Sequence, residues 1–292
     1  MWTEIAQHIT QVTGTPLSKP HVRSLGGGCI NQAYLLNQGD ERYFVKLNHA
    51  SKVAMFEAEQ LGLAQMAATQ TIRVPRPICC GVAAGQSYLV LEYLNLGGTG
   101  TASWHRLGQQ LAALHQWQPT QGNPQFGWDR DNTIGATPQP NPWTQDWATF
   151  FRDYRLAFQL QLAARRGGHF PRQAELLAAV PQLLADHHPQ PSLVHGDLWS
   201  GNAAITIEGE PVIFDPATYW GDREVDLAMS ELFGRFPAPF YQGYNEVFPI
   251  AAGYEQRQVL YNLYHILNHF NLFGGSYAAQ ANRMIEQLLR HL

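Results

Sequence analysis

Asp197 and Asn202 stand five positions apart in SLVHGDLWSGNAAI, residues 192–205, and a further aspartate, Asp215, follows in VIFDPA. An apolar run stops at His195-Gly196-Asp197 and another begins just past Asn202, so the two polar residues share one loop between strand-like segments. Glu208-Gly209-Glu210 marks the turn of a small hairpin whose far end brings Asp215 back beside that loop. Three oxygen-bearing side chains are therefore expected around one point. Moving a phosphoryl group from a nucleotide to an alcohol requires such a set: a carboxylate to accept the hydroxyl proton, and oxygen ligands to hold Mg²⁺ against the phosphates.

The Asp-x4-Asn spacing is that of the protein-kinase catalytic loop. Gly196 takes the place of that pattern's Arg, removing the group that a phosphorylated activation loop engages, and FDPA takes the place of the metal-binding Asp-Phe-Gly. These departures point to a small-molecule kinase of the aminoglycoside and choline kinase type. His-Gly-Asp alone is also a plain turn with an Asp cap; the combination with Asn202 and Asp215 carries the reading.

Phosphate-holding parts are expected upstream. LGGGCIN, residues 25–31, is a glycine turn between two strands, and without Cβ atoms Gly26, Gly27 and Gly28 let backbone N–H groups approach phosphate oxygens. YFVKL sets Lys46 among apolar strand neighbours, where it can grip phosphate. Its carboxylate partner belongs on the following helix. With Phe56 at zero and about 100° per residue, Leu63 and Ala67 fall within about 20° and Met66 near about −80°. Glu59 then lies near about −60°, on the apolar side, whereas Glu57 near about +100° suits a solvated face. A carboxylate on that stripe needs a cation, which selects Glu59 for Lys46. In LVLEYLN, main-chain groups of Glu92, Tyr93 and Leu94 are expected at the adenine edge.

The elements that must position these groups follow in order. Residues 22–47 read as antiparallel strands joined at Asn37-Gln38-Gly39-Asp40, KVAMFEAEQLGLAQMAAT as a helix, and VPRPICCGVAAGQSYLVLEYL as strands turning at Gly85. From Leu96 the texture is helical: SWHRLGQQLAALHQW, DWATFFRDYRLAFQLQLAARR up to Gly167-Gly168, residues 172–186, and the tail from Arg223. Pro119 to Pro142 reads as a long ordered loop. The expected fold is α+β and two-lobed, like a protein kinase. An N-lobe, residues 1–95, holds a small antiparallel sheet and one helix; a larger, mainly helical C-lobe spans residues 96–292.

Bulk properties remove other classes. With 45% hydrophobic and 14% charged residues, the 292-residue chain is globular rather than disordered. Its net charge of −4 gives no field for nucleic acid or anionic lipid. No apolar run reaches about 18 residues, and MWTEIAQHITQVTG lacks the cationic start of a signal peptide. Cys29, Cys79 and Cys80 form no disulfide framework, and the histidines are scattered. A cytoplasmic protein without nucleic-acid or membrane partners is expected.

With these residues in hand, the sequence resembles the fructosamine kinase (ketosamine kinase) family, in its shorter bacterial form. HGDLWSGN and FDPATYWGDREVDLAM carry the resemblance most strongly, supported by GGGCINQAY, FEAEQLGL, VPRP, WATFFRDYRLAFQLQL and LNHFNLFGG. The resemblance implies ATP-dependent, Mg²⁺-assisted phosphorylation of fructosamines or ribulosamines at the third sugar carbon. The resulting esters fall apart and free the amine, so the activity amounts to deglycation. By the same implication Asp197 is the general base, Asn202 and Asp215 hold Mg²⁺, and Lys46, positioned by Glu59, grips the phosphates.

Around this centre Trp199 is expected as a platform for the sugar or its amine cation, against a packing role. Asp222 is a candidate for facing an amine, and Asp226 a structural acid tied to the catalytic loop. His269 and Asn271 are candidates for the far wall, a buried core histidine being the plainer alternative. Cys29, inside the glycine turn, is a candidate redox switch that would permit a disulfide-linked homodimer beside the monomer. Two other functions compete: a kinase for another hydroxyl compound such as an aminoglycoside, choline or a sugar, and a nucleotide-binding pseudokinase. The last would have lost Lys46, Asp197 or Asp215, and all three are present.

Overall fold

A computed structural model describes residues 1–26, 30–120 and 125–290. The chain opens with helix α1 (Trp2–Thr13), closed by left-handed Gly14, whose N–H donates to the Thr10 carbonyl. Ile5, Ala6 and Ile9 of α1 pack on the outer face of an antiparallel sheet, β1 (His21–Leu25), β2 (Gln32–Gln38), β3 (Glu41–His49), β4 (Pro77–Ala83) and β5 (Gln86–Glu92), in the order β1-β2-β3-β5-β4. Period-two alternation along β3 sends Val45 and Leu47 toward α1 and leaves Phe44 and Lys46 on the opposite face. That face is crossed by α2 (Val53–Ala68), which buries Phe56, Leu63 and Met66 as the helical wheel predicts, whereas Ala67 is exposed. The small lobe thus carries α1 outside the sheet as well as α2 inside it.

The connector after β5 is pinned to the large lobe. The N–H groups of Gly97 and Gly98 both donate to the Ile205 carbonyl at 3.0 Å, and a Cβ at Gly98 would overlap the Thr206 carbonyl. Helix α3 (Thr101–Gln116) follows, then a hairpin of β6 (Asn132–Ile134) and β7 (Thr137–Gln139). Next come α4 (Trp147–Phe151), one wide π turn (Arg152–Ala157), α5 (Phe158–Arg165), α6 (Gln173–Leu183) and β8 (Ser192–Val194). Strands β9 (Ala203–Ile205) and β10 (Pro211–Ile213) form the expected hairpin, and β11 (Tyr219–Gly221) pairs antiparallel with β8. Helices α7 (Glu224–Leu232), α8 (Ala238–Val247), α9 (Tyr254–Phe273) and α10 (Tyr277–Leu289) complete the fold.

Two features depart from the sequence reading. The stretch expected as a loop, 119–142, contains the β6–β7 hairpin and is bridged to β11 through Gly127 and Trp220. The long helix over 146–165 is interrupted by the π turn, where fully buried Arg155 lies over the rings of Phe150 and Tyr219 at 4.6 and 4.1 Å. Helices α3 and α8 meet through Gly108 and Gly243, where a Cβ on either would overlap a backbone carbonyl of the other helix. Among the described residues no helix is long and apolar enough to cross a membrane.

Candidate active site

A cavity of about 1000 Å³ lies between the sheet and the helical lobe, and the catalytic-loop residues line it. Lys46 Nζ donates to Glu59 Oε1 and to Asp215 Oδ1, both at 2.6 Å. Burial alone would lower the lysine pKa, but Asp215 and Glu59 more than reverse this and hold the ammonium charged. Glu57, by contrast, is partly exposed and pairs with Arg130 on the surface. We expect Glu59→Gln to raise the apparent KM for nucleotide about tenfold, the usual order for losing one charge-assisted hydrogen bond, and Glu57→Gln to leave it unchanged in the same steady-state assay.

Asn202 Nδ2 donates to the Asp197 carbonyl at 2.9 Å and to its Oδ2 at 3.2 Å. Burial first, and the nearby Asp215 second, push the Asp197 carboxyl up to about 7. Asp215 is 46% exposed to the cleft and adopts φ 59°, a left-handed conformation that aspartate tolerates better than most residues but that still costs about 1–3 kcal/mol. The Lys46 ion pair holds it there.

Hydrogen bonds staple the catalytic loop to the segment bearing Asp215. The Phe214 N–H donates to the Asn202 carbonyl at 3.0 Å, and the Ala217 N–H to the His195 carbonyl at 2.8 Å. His195 Nδ1 accepts from the Asp197 N–H, and its Nε2 donates to the Phe214 carbonyl at 2.9 Å, which fixes the tautomer; burial keeps this imidazole neutral. Asp226 accepts the N–H groups of His195 and Gly196 at 2.7 and 2.8 Å and pairs with His115 at 3.1 Å. Burial opposes its ionisation, yet these partners hold its carboxyl below the ordinary value. Asp226 thus takes the structural place expected for it. His115, on α3, was invisible in sequence because it reaches the loop only through this acid.

Of the expected adenine-edge residues, Glu92, Tyr93 and Leu94 all line the cavity. The Glu92 N–H is already donated to Arg76, and the Glu92 carboxylate pairs with Arg73 at 2.6 Å. Tyr93 and Leu94 make no backbone hydrogen bond among the described residues, so their main-chain groups are free for a planar base. Gly26 lines the cavity; Gly27, Gly28 and Cys29 lie outside the described residues.

Trp199 lines the cavity, 36% exposed, with its indole against Gly201 and nearly perpendicular to the Phe233 ring at 6.5 Å between centroids. Phe233 packs on His269 at 4.5 Å between centroids, and His269 on Tyr277 at 5.2 Å, so an aromatic wall runs from the catalytic loop to α10. Two expectations are corrected. Asp222 is fully buried away from the cavity, accepting from His187 and Tyr261 and from the Glu224 N–H, so no amine reaches it. Asn271 points into the α5–α9 interface, where its amide donates to Gln159 at 2.7 Å. Residues the sequence did not single out, Ile30, Thr133, Ile134, Met229, Asn268 and Leu272, line the cavity instead.

A sequence model described as fructosamine kinase matches residues 1–291. A Synechocystis protein assigned as a ketoamine kinase is 63% identical over 289 residues, 99% of this chain and 97% of its own. The chloroplastic protein-ribulosamine 3-kinase of Arabidopsis thaliana is 42% identical over 97% of this chain and 86% of its own. A crystal structure from Haemophilus somnus, assigned as a fructosamine-3-kinase, superposes with a TM-score of 0.92 at 36% identity, covering 99% of this chain and 98% of the other. The choline kinase of Streptococcus pneumoniae, at 16% identity and a TM-score of 0.64 over 100% and 99% of the two chains, shares the two-lobed kinase fold alone.

Proposed function

The chain belongs to the fructosamine kinase family, and we propose that it uses ATP to phosphorylate a ketoamine, a fructosamine or ribulosamine, on the hydroxyl of the third sugar carbon. The reading divides the labour between a nucleotide lobe, residues 1–95, and an acceptor lobe, residues 96–292, in a cytoplasmic enzyme. The observation that carries it is the convergence, in one cleft, of the Glu59–Lys46–Asp215 ion pairs with the Asn202–Asp197 pair.

In this reading Lys46 binds the nucleotide phosphates, and the free main-chain groups of Tyr93 and Leu94 take the adenine edge. Asp197 accepts the proton of the sugar hydroxyl as its oxygen attacks the terminal phosphorus, and the bond to the ADP oxygen breaks. Asn202 and Asp215 offer hard oxygen donors at the cleft surface, the set Mg²⁺ takes, and the ion would neutralise charge on the phosphates. The product carries phosphate beside the C2 ketone. Enolisation toward C1 makes that phosphate an allylic leaving group, and hydrolysis of the resulting imine frees the amine.

The acceptor side supports a sugar over a polycation. Apart from Glu59, Glu92, Asp197 and Asp215, no carboxylate lines the cavity among the described residues, while an indole and a phenyl ring do. ADP release measured across ribulosamines, fructosamines, aminoglycosides and choline tests this. We expect kcat/KM for a ketoamine at least about a hundredfold above the others, the scale set by acceptor hydrogen bonds; preference for an aminoglycoside or choline would reverse the assignment.

A pH profile follows from the raised carboxyl. A general base works ionised, so kcat/KM should fall about tenfold per unit as pH drops below about 7, the value for Asp197 in the free protein. A cation beside Asp215 would remove part of the repulsion that raises it, so the limb in kcat should lie lower. Initial rates from pH 5 to 9 check both.

A further inference from the structure

Asn268 is 2% exposed and lines the cavity together with Ile134, Met229, Phe233, His269 and Leu272. A buried amide costs free energy unless its hydrogen bonds are made. Those of Asn268 are slack: its Nδ2 lies 3.4 Å from the Ile134 carbonyl, and its Oδ1 lies 3.5 Å from Gln159 Nε2. Behind it the amide nitrogen of Asn271 is held tightly. Asn271 Nδ2 donates to the Gln159 side-chain oxygen at 2.7 Å and to its carbonyl at 2.9 Å, which orients the fully buried Gln159 amide toward Asn268. Three amides thus run from the α5–α9 interface to the cavity. Asn271 Oδ1, at the end away from the cavity, has no partner among the described residues. Of the three, only Asn268 lines the cavity, where a ligand can complete its bonds.

The place of this amide relative to the chemistry is set by the aromatic wall. Trp199, two residues beyond Asp197, meets Phe233, Phe233 meets His269, and His269 adjoins Asn268 on α9. Pockets that orient a small polar ligand commonly do so with a few polar groups in an apolar lining, and Asn268 has that character here. Building on the ketoamine kinase reading, we infer that Asn268 hydrogen-bonds a hydroxyl of the ketoamine sugar other than the one phosphorylated, and so fixes which hydroxyl meets Asp197. Gln159 and Asn271 are positioning residues acting through it. The far-wall place expected for Asn271 is therefore taken by a residue three positions earlier, one turn back along the helix.

The test compares wild type, Asn268→Ala and Asn268→Ser on a ribulosamine or fructosamine and on its analogues singly deoxygenated at C4, C5 or, for the fructosamine, C6. Asn268→Ala should raise the acceptor KM by about 10–100-fold while the ATP KM stays within about twofold, as loss of one buried hydrogen bond to substrate predicts. One deoxy analogue should be penalised at least about tenfold by wild type and not by Asn268→Ala, with Asn268→Ser intermediate. A purely structural amide would not produce that position-specific cancellation. Equal deoxy penalties in wild type and variant, or acceptor and ATP KM values rising together, overturn the inference. If Asn268→Ala fails to fold, wild type alone decides against it when no deoxy analogue loses more than about twofold. Wild type that phosphorylates no ketoamine overturns the functional reading first, and this inference with it.

Discussion

Asp197→Asn should lose about 10²–10⁴-fold in kcat, the range for removing a positioned general base, while still binding ATP. The amide preserves shape and the neighbourhood of Asn202, so nucleotide affinity by calorimetry should stay near wild type. Stability should move the other way. The folded carboxyl titrates near 7, above its ordinary value, so between these two values the folded chain holds the proton that the unfolded chain has lost. Wild type therefore loses stability as pH rises through that window and keeps the deficit above it. Asp197→Asn has no such deficit, so its Tm should equal wild type near pH 4 and exceed it above pH 7. A variant that is inactive because it is unfolded would show the opposite melting behaviour.

Gly196→Ala should be the most damaging single methyl in the site. Gly196 has φ 80°, a conformation costing a non-glycine residue about 1–3 kcal/mol, and a Cβ there would overlap the Ala217 carbonyl oxygen, which is fixed backbone. The overlap adds to the conformational term, so a loss of about 3 kcal/mol or more is expected, roughly 6–12 °C in Tm for a chain of this size. Moving Ala217 also pulls on the bond between its N–H and the His195 carbonyl, and so on the loop carrying Asp197. Activity should fall about a hundredfold even where the protein remains folded, in line with the sensitivity of reacting groups to a 1 Å displacement. Gly209→Ala is the control: its φ is 84°, yet its Cβ would meet only Ser103 Oγ at 3.8 Å, so about 1 kcal/mol and full activity are expected. This close approach gives Gly196 a steric reason to stand where protein kinases carry Arg.

The contrast between Glu59 and Asp222 shows what the sequence could and could not reveal. Glu59 was legible because one uninterrupted helix gives a reliable angular frame, and its ion pair with Lys46 follows from placing an acid on the buried face. Asp197, Asn202 and Asp215 were legible because a short hairpin returns the chain to its start, whatever its details. Asp222 was not, since it follows β11, a three-residue strand too short to show a period, and only the pairing with β8 buries it. The same brevity hid β6 and β7 inside a Gly/Pro/Asn-rich stretch. Asn271 was avoidable: at about 100° per residue it lies about 200° from His269, so the two cannot share one wall. Asn268 and Leu272, about 100° and 60° from His269, can. The π turn at Arg152–Ala157 shifts the helical phase of α4 against α5, and no residue type there announces it.

The account turns on transfer of the ATP terminal phosphate to one sugar carbon, and ³¹P–¹H correlation NMR of the reaction mixture reads that carbon directly. With a ribulosamine or fructosamine, ATP and Mg²⁺, the new phosphorus signal should couple to the proton on C3, then decay as free amine and inorganic phosphate appear, and Asp197→Asn should give neither. A stable ester on another carbon, or ADP formed with no phosphorus on the ketoamine, would contradict the account.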